Sequence, residues 1–200
     1  KNAVADAGAP VISKWVGEWG GLEAVATPFN VEFGLMVMFL AIVLGALYAI
    51  NNIENQDLAK ELRHSLIYSF GGFLIMLVLV LTQLLFMAGF AVDAQGMVHM
   101  ESYKYLNNLL EMPVVLVMFL IGAVLLVVGV VLTFMKPKFK RGIWLSGPGT
   151  VLAVMAIFML AGYNGTAYYP SHADLQSSLT LQNSSSSEFT LRTMAVVSLI

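Results

Sequence analysis

The sequence predicts an all-α protein, a polytopic transmembrane helix bundle with four complete spans and the start of a fifth. Three observations carry that prediction. Hydrophobic residues make up 58% of the 200 residues and charged residues 11%, with a mean hydropathy of +0.81. A soluble domain presents a surface with about 25 to 35% charged residues, so a water-soluble monomer is excluded. The apolar residues are gathered into stretches close to the ~20 residues a helix needs to cross ~30 Å of hydrocarbon, where every backbone N–H and C=O must be paired within the protein. The Lys and Arg residues collect in alternate connections between those stretches.

Residues 1–32 read as an exterior interfacial segment and residues 33–200 as the bundle. In the first segment Val11, Ile12, Trp15, Val16 and Trp19 make a weakly amphipathic helical stretch, and Trp is favoured at headgroup level. Trp15 and Trp19 are therefore candidate lipid or subunit contacts, with an aromatic ligand box as the sharper alternative. The first span covers about 29–50, with Thr27 as cap and Pro28 in the first turn. The second, 65–92, is the longest uncharged stretch and has length to tilt. The third, 112–135, opens at Pro113 and is closed by Pro137. The fourth, 142–163, opens with the rigid Gly147-Pro148-Gly149 group. The fifth, 190–200, is truncated, and the chain reads as a piece of a longer membrane protein.

The connections fix the orientation. Residues 51–64 carry Lys60 and Arg63, and 136–141 pack four basic residues into six positions; 93–111 hold one Lys and three acids, and 165–189 hold no Lys or Arg. Cytoplasmic connections are the basic ones, so the first and third should face the cytoplasm and the 93–111 and Ser-rich connections the outside.

A formal net charge of −2 without a basic tract argues against nucleic acid as a partner. The lack of Cys excludes disulfides, thiolate-held iron–sulfur or zinc, and covalently attached haem. No phosphate-binding loop, zinc-hydrolase helix or nucleophile elbow is present. His64, His99 and His172 fall in connections or at a span end. His64 is expected on the opposite side from the other two, which leaves surface histidines or one outside site shared by His99 and His172. The 12 Met residues suit flexible packing of apolar helices.

Glu32 and Glu111, at the outer ends of the first and third spans, are the candidate carboxylates. Each is either structural, with Glu111 facing the unpaired N–H groups of the third span, or part of a proton path, since carboxylates displaced from water titrate higher. Arg192 should snorkel outward or pair with a partner. Gln83 and Thr82 suit hydrogen bonds between helices, and Gln83 is also a candidate subunit contact. Asn51, Asn52, Asn107, Asn108 and Asn164 mark span ends.

Several motifs in order carry a resemblance. Leu44-Gly45-Ala46-Leu47-Tyr48 with Asn51-Asn52, Asn107-Asn108-Leu109-Leu110-Glu111-Met112-Pro113, and Trp144-Leu145-Ser146-Gly147-Pro148-Gly149 are followed by Gly162-Tyr163-Asn164-Gly165-Thr166-Ala167-Tyr168-Tyr169-Pro170-Ser171. Ser177-Ser178-Leu179-Thr180 and Asn183-Ser184-Ser185-Ser186-Ser187-Glu188-Phe189-Thr190-Leu191 complete the series. From Phe29 to Ile200 the chain resembles the C-terminal part of subunit II of cytochrome bd ubiquinol oxidase. The resemblance implies a multi-pass subunit of a bacterial or archaeal cytoplasmic-membrane complex that oxidises quinol near the outer face and reduces dioxygen to water. It implies haem b and haem d in the partner subunit I, no cofactor on this chain, and subunit I, membrane lipids and small accessory subunits as partners. Family members often carry Arg where this chain has Ile42, which puts in doubt whatever contact that Arg makes. A transporter or channel module is the alternative class, although Pro113, Pro137 and Pro148 are expected at span ends rather than in the broken midplane helices of transporters.

Overall fold

The structure is a computed structural model that describes residues 2–4, 12–14, 18–19 and 22–167. Its main elements are four long helices: α1 (Pro28–Asn52), α2 (Gln56–Phe86), α4 (Pro113–Met135) and α5 (Ile143–Gly162). All four are long and apolar enough to cross a membrane. A short helix α3 (Lys104–Glu111) and a hairpin of β3 (Gly89–Val92) with β4 (Val98–Glu101) lie between α2 and α4. The all-α membrane bundle expected from the sequence is the observed fold, and the expected fifth span lies outside the described residues.

Near the N-terminus, β1 (Asn2–Val4) pairs antiparallel with β2 (Ile12–Lys14), and a 3-10 turn covers Leu22–Ala26. Ile12 therefore stands in a strand and not in the expected interfacial helix. Its neighbourhood is poor in strong helix formers, with Pro10 upstream and β-branched Val11 and Ile12 in sequence.

The helix ends follow local chemistry. Pro28 and Pro113 occupy first-turn positions, where the missing N–H would have no intrahelical partner. Asn55 caps α2 by accepting from Asp57 N (2.9 Å) and Leu58 N (3.3 Å), so the helix begins nine residues before the uncharged stretch. At its other end α2 stops at Phe86, and residues expected to continue the span as far as 92 form β3 instead. The side chain of Asp93 explains this: it accepts from Gln95 N (3.0 Å) and Met97 N (2.8 Å), and Gly96 takes a left-handed conformation, closing a hairpin turn. Pro148 also departs from expectation. It lies inside α5, five residues after Ile143, not at the helix start. Only Trp144 loses its usual i+4 donor there.

The helices form two antiparallel pairs, α1 with α2 and α4 with α5, which contact each other more sparsely. Large side chains fill the first seam: Met36, Val43, Leu47 and Ile50 from α1 meet Leu66, Phe73 and Val80 from α2, with Leu126 and Val130 of α4 closing the cluster. The second seam is built of small residues. A methyl group on Gly129 would come within 2.6 Å of Gly142 O, and one on Gly122 within 2.7 Å of Gly149 O. Backbone lies against backbone, and Ser146 Oγ donates across the seam to Leu126 O (2.9 Å). Without water to drive apolar surfaces together, helices in lipid associate through such close contacts and hydrogen bonds.

Both basic connections lie at one end of the bundle. Lys140 Nζ donates to Ile53 O (2.7 Å) and Arg63 Nη2 to Pro137 O (2.9 Å), tying residues 136–142 to the α1–α2 turn. The hairpin, α3 and residues 163–167 occupy the other end, where Val92 N donates to Gly165 O and Ala167 N to Phe90 O. Among the described residues, the alternation of charge along the sequence is thus an alternation of ends in space.

Candidate functional site

The richest polar cluster is at the hairpin end, and α3 organises it. Lys104 is buried, with its Nζ 3.1 Å from Glu101 Oε2. Asn107 Nδ2 donates to Glu101 Oε1 (2.9 Å). That amide donation, joined by Lys104, holds the Glu101 carboxyl below its ordinary range against an opposing desolvation effect. Burial raises the Tyr105 phenol.

The adjacent residue Asn108 turns to the other side of α3 and is fully buried. Its Nδ2 donates to Leu160 O (2.9 Å) and to Thr166 Oγ1 (2.9 Å), while its Oδ1 accepts from Asn164 Nδ2 (3.2 Å). Asn164 Nδ2 also donates to Glu111 Oε2 (2.5 Å). Asn164 (φ 57°) and Gly165 (φ 65°) hold two successive left-handed conformations, which suit Asn and Gly. This turn brings Asn164 and Thr166 back over α3. Thr166 Oγ1 donates onward to Tyr163 O (2.7 Å). The chain from Glu111 through Asn164 to Asn108 ends on a helix carbonyl and a hydroxyl. Carboxamides donate and accept but do not titrate, so the chain joins α3 to the end of α5 without offering a succession of ionisable groups.

Glu111 differs from its expected setting. It does not reach the first-turn N–H groups of α4, whose N-cap is Met112 and which has no side-chain cap. The reason is α3, a helix not expected from the sequence. Glu111 is the last residue of that helix, where the dipole disfavours a negative charge, and the Asn164 amide supplies the donor instead. Glu111 is exposed.

Glu32 and Gln83 meet. Gln83 Nε2 of α2 donates to Glu32 Oε2 of α1 in a part-buried bond, the polar contact across the first seam. Thr82 Oγ1 donates within its own helix to Val78 O (2.7 Å). Trp19 is 70% exposed, with its backbone N–H donating to Glu23 Oε1. Ile42 is exposed on α1, away from the bundle core. Trp15, His172 and Arg192 lie outside the described residues.

The residues that sequence reasoning missed are Asn108 and the small residues of the α4–α5 seam. Their signal was present as Gly122, Leu126, Gly129 and Thr133 on one helix and Gly142, Ser146, Gly149 and Ala153 on the next, each set following a four-three-four spacing along one face. In the sequence Asn107 and Asn108 look alike as boundary marks, although adjacent helical residues point in different directions.

Among the described residues no two histidines come together as a pair of axial haem ligands. His64, in α2, is at the basic end, and His99, in β4, is at the hairpin end; both are exposed. The apolar cavity between α2, α4 and α5 is lined by Leu81, Leu85, Val115, Phe119, Ile157 and Leu160, among others, with no imidazole. Among the described residues no three His, Asp or Glu side chains gather as a metal site.

No curated protein matches the chain as a whole or in part. A family model does, that of cytochrome bd terminal oxidase subunit II, and it matches residues 4–200. The match extends the span of the resemblance toward the N-terminus, and four apolar helices of membrane-crossing length accord with it. The chain therefore belongs to the cytochrome bd terminal oxidase subunit II family, as a multi-pass subunit of a membrane quinol oxidase of the respiratory chain.

Proposed function

We propose that this chain is a structural, non-haem-bearing part of the oxidase, supporting the haem-bearing subunit I while quinol oxidation and dioxygen reduction proceed there. The observation that carries the reading is the α4–α5 seam, where Gly122 lies against Gly149 and Gly129 against Gly142 with no room for a methyl group. A rigid pair of this kind is suited to positioning a neighbour. The placement of His64 and His99 at opposite ends of the bundle supports the same division of labour, with haem b and haem d in the partner. The haems supply electron transfer and oxygen activation in the complex, and this chain's contribution is to hold shape.

The orientation follows from charge. The end bearing Lys60, Arg63, Lys136, Lys138, Lys140 and Arg141 faces the cytoplasm of a bacterial or archaeal cell, and the hairpin end faces outward. Glu111 and Glu32 act as structural carboxylates, each held by the side-chain amide of a neighbouring segment. Ile42 and the other exposed apolar residues of α1 face lipid or subunit I, and Trp19 and the undescribed Trp15 and Arg192 serve as further contacts. Small accessory subunits complete the set of partners.

The experiment is replacement of His64, His99 and His172 by Ala together in the full-length subunit within its complex. Haem content per assembled complex, read from the b- and d-type absorption bands, should be unchanged. Loss of one haem per complex with assembly intact would place this chain in the haem-bearing core and overturn the proposal.

A further inference from the structure

At the basic end, four cations surround a cleft of about 680 Å³. Lys60 and Arg63 line it from α2, and Lys138 and Lys140 from the connection between α4 and α5, with Glu54 the one carboxylate among the lining residues. None of the four cations forms an ion pair with a described carboxylate; the ion pair found is that of Lys104 with Glu101, at the far end. Arg63 and Lys140 each spend a donor on a backbone carbonyl, Pro137 O and Ile53 O. Those two bonds hold the walls of the cleft together, and a backbone carbonyl supplies neither cation with a counter-charge. Arg63 Nε is buried and has no hydrogen-bond partner among the described residues. Lys60 and Lys138 are exposed, and neither is hydrogen-bonded or ion-paired to another described residue.

The depth of the cleft selects its occupant. The uncharged part of α2 runs from Ser65 to Phe86, about 33 Å at 1.5 Å per residue, which matches the ~30 Å hydrocarbon layer. Arg63 and Lys60 lie in the turns immediately beyond, at headgroup level. Below them on the same helical face, at the i+4 and i+7 spacings, is Ile67, which is 39% exposed. A molecule fitting this surface carries negative charge at headgroup depth and apolar chains beneath it.

We infer that this cleft binds the phosphate headgroup of an anionic phospholipid from the adjacent leaflet, with Lys60 and Arg63 on one side of the phosphate and Lys138 and Lys140 on the other. Basic pockets between transmembrane helices are suited to such headgroups, and the guanidinium of Arg63 matches phosphate geometry. The site does not depend on which subunit carries the haems.

The test uses the full-length subunit in its assembled complex, stripped of loosely held lipid in neutral detergent and titrated with phosphatidylglycerol while bound lipids are counted by native mass spectrometry. Lys60→Gln with Lys138→Gln is the first variant, because neither side chain holds the fold together. It should lose one phosphatidylglycerol site, with affinity roughly thirtyfold weaker, since each basic group contributes about 1 kcal/mol and 1.4 kcal/mol is tenfold. Lys60→Arg with Lys138→Arg should retain the site. Parallel titrations with phosphatidylcholine and with inorganic phosphate separate the sources: the first should bind more weakly than phosphatidylglycerol, and the second should not displace it at equal concentration. Unchanged phosphatidylglycerol binding in the Gln variant, equal affinity for phosphatidylcholine, or displacement by inorganic phosphate would each overturn the inference.

Discussion

The two helix pairs are made in opposite ways. Along α1 and α2, bulky side chains interlock, and Gly45 and Gly71 have nothing within 4 Å of where a side chain would start. Along α4 and α5, Gly122, Gly129, Gly142 and Gly149 face backbone, and Ser146 supplies a buried hydrogen bond across the gap. A short turn of three residues after Asn52 already holds the first pair together, so its side chains need only fill space. The second pair comes together through contact itself. In lipid, where apolar burial offers no net drive, close approach adds dispersion over many atom pairs. The same residue type therefore has different worth in the two pairs, and substitutions separate them.

The largest effect is expected at Gly129. Gly129→Leu would drive a side chain into Gly142 O and Ser146, and backbone cannot yield as a side-chain tip can. The expected cost is about 3 kcal/mol or more, at the upper end for overpacking, seen as loss of assembled complex on native gels. Gly45→Ala in α1 should be neutral or stabilising by up to about 1 kcal/mol, because it has open space and gains helix propensity. Similar effects at the two positions would remove the distinction between the pairs.

The second expected effect concerns how the far end of the second pair is secured. Asn108→Leu keeps the approximate volume but leaves Thr166 and Asn164 without their buried partner and removes a donor from Leu160 O. The cost should be about 1 to 3 kcal/mol, measured as a lower melting temperature of the complex and faster amide exchange over residues 160–167. If exchange there is unaltered, the clamp between α3 and α5 contributes nothing.

How much of this was legible in the sequence differs between the same regions. The four spans could be read because hydropathy over about 20 residues overrides local preference, and the basic connections could be assigned to one end because charge cannot be hidden in hydrocarbon. The boundary at residue 86 could not be read that way. Residues 87–92 are as apolar as a span end, and only the Asp93 turn with Gly96, flanked by Phe90, Val92 and Val98, signals a hairpin. Missing the hairpin meant missing α3, and with it the setting of Glu111. The candidate carboxylates themselves were visible as charges at span ends. Their partners were not, because Glu32 with Gln83 and Glu111 with Asn164 are separated by about fifty residues and meet only once the helices pack.

Polar contacts between the helices of the first pair should count for less than packing. Glu32→Leu and Gln83→Leu, singly and together, form a double-mutant cycle whose coupling energy should be near 0.6 kcal/mol and no more than about 1.7 kcal/mol, the range for hydrogen bonds between transmembrane helices. Thermal denaturation of the complex measures it, and a coupling well above that range would show the first seam to be held by its polar contact.

Glu111→Gln should change less still. The side chain is exposed, and glutamine can accept the same amide hydrogen bond from Asn164, so stability should fall by about 1 kcal/mol or less. Oxygen consumption per haem should stay the same across pH. A tenfold loss of turnover with haem content and assembly unchanged would make Glu111 a proton-transfer group, and the hairpin end would then be a working part of the oxidase.

The smallest effect expected is a pH dependence confined to the hairpin end. Glu101 has its carboxyl held low first by the Asn107 amide and then by Lys104, with His99 adding attraction when charged, while desolvation opposes them. Because its folded value is depressed below the ordinary 4.5, the folded state binds fewer protons there than the unfolded state. The stabilisation is fully present above 4.5 and is lost as pH falls through the depressed value. Protonation removes the charge that strengthens the Asn107 bond and attracts Lys104, so amide exchange over residues 98–108 should quicken as pH drops below that point, after correction for the intrinsic pH dependence of exchange. Glu101→Gln should flatten the response, and residues 53–64 at the basic end serve as the internal control. Glu101 is close to solvent, so water screens most of the interaction. If wild type and Glu101→Gln have the same corrected exchange profile in acid, the contact between β4 and α3 rests on Lys104 burial and the surrounding packing, without a contribution from the charge of Glu101.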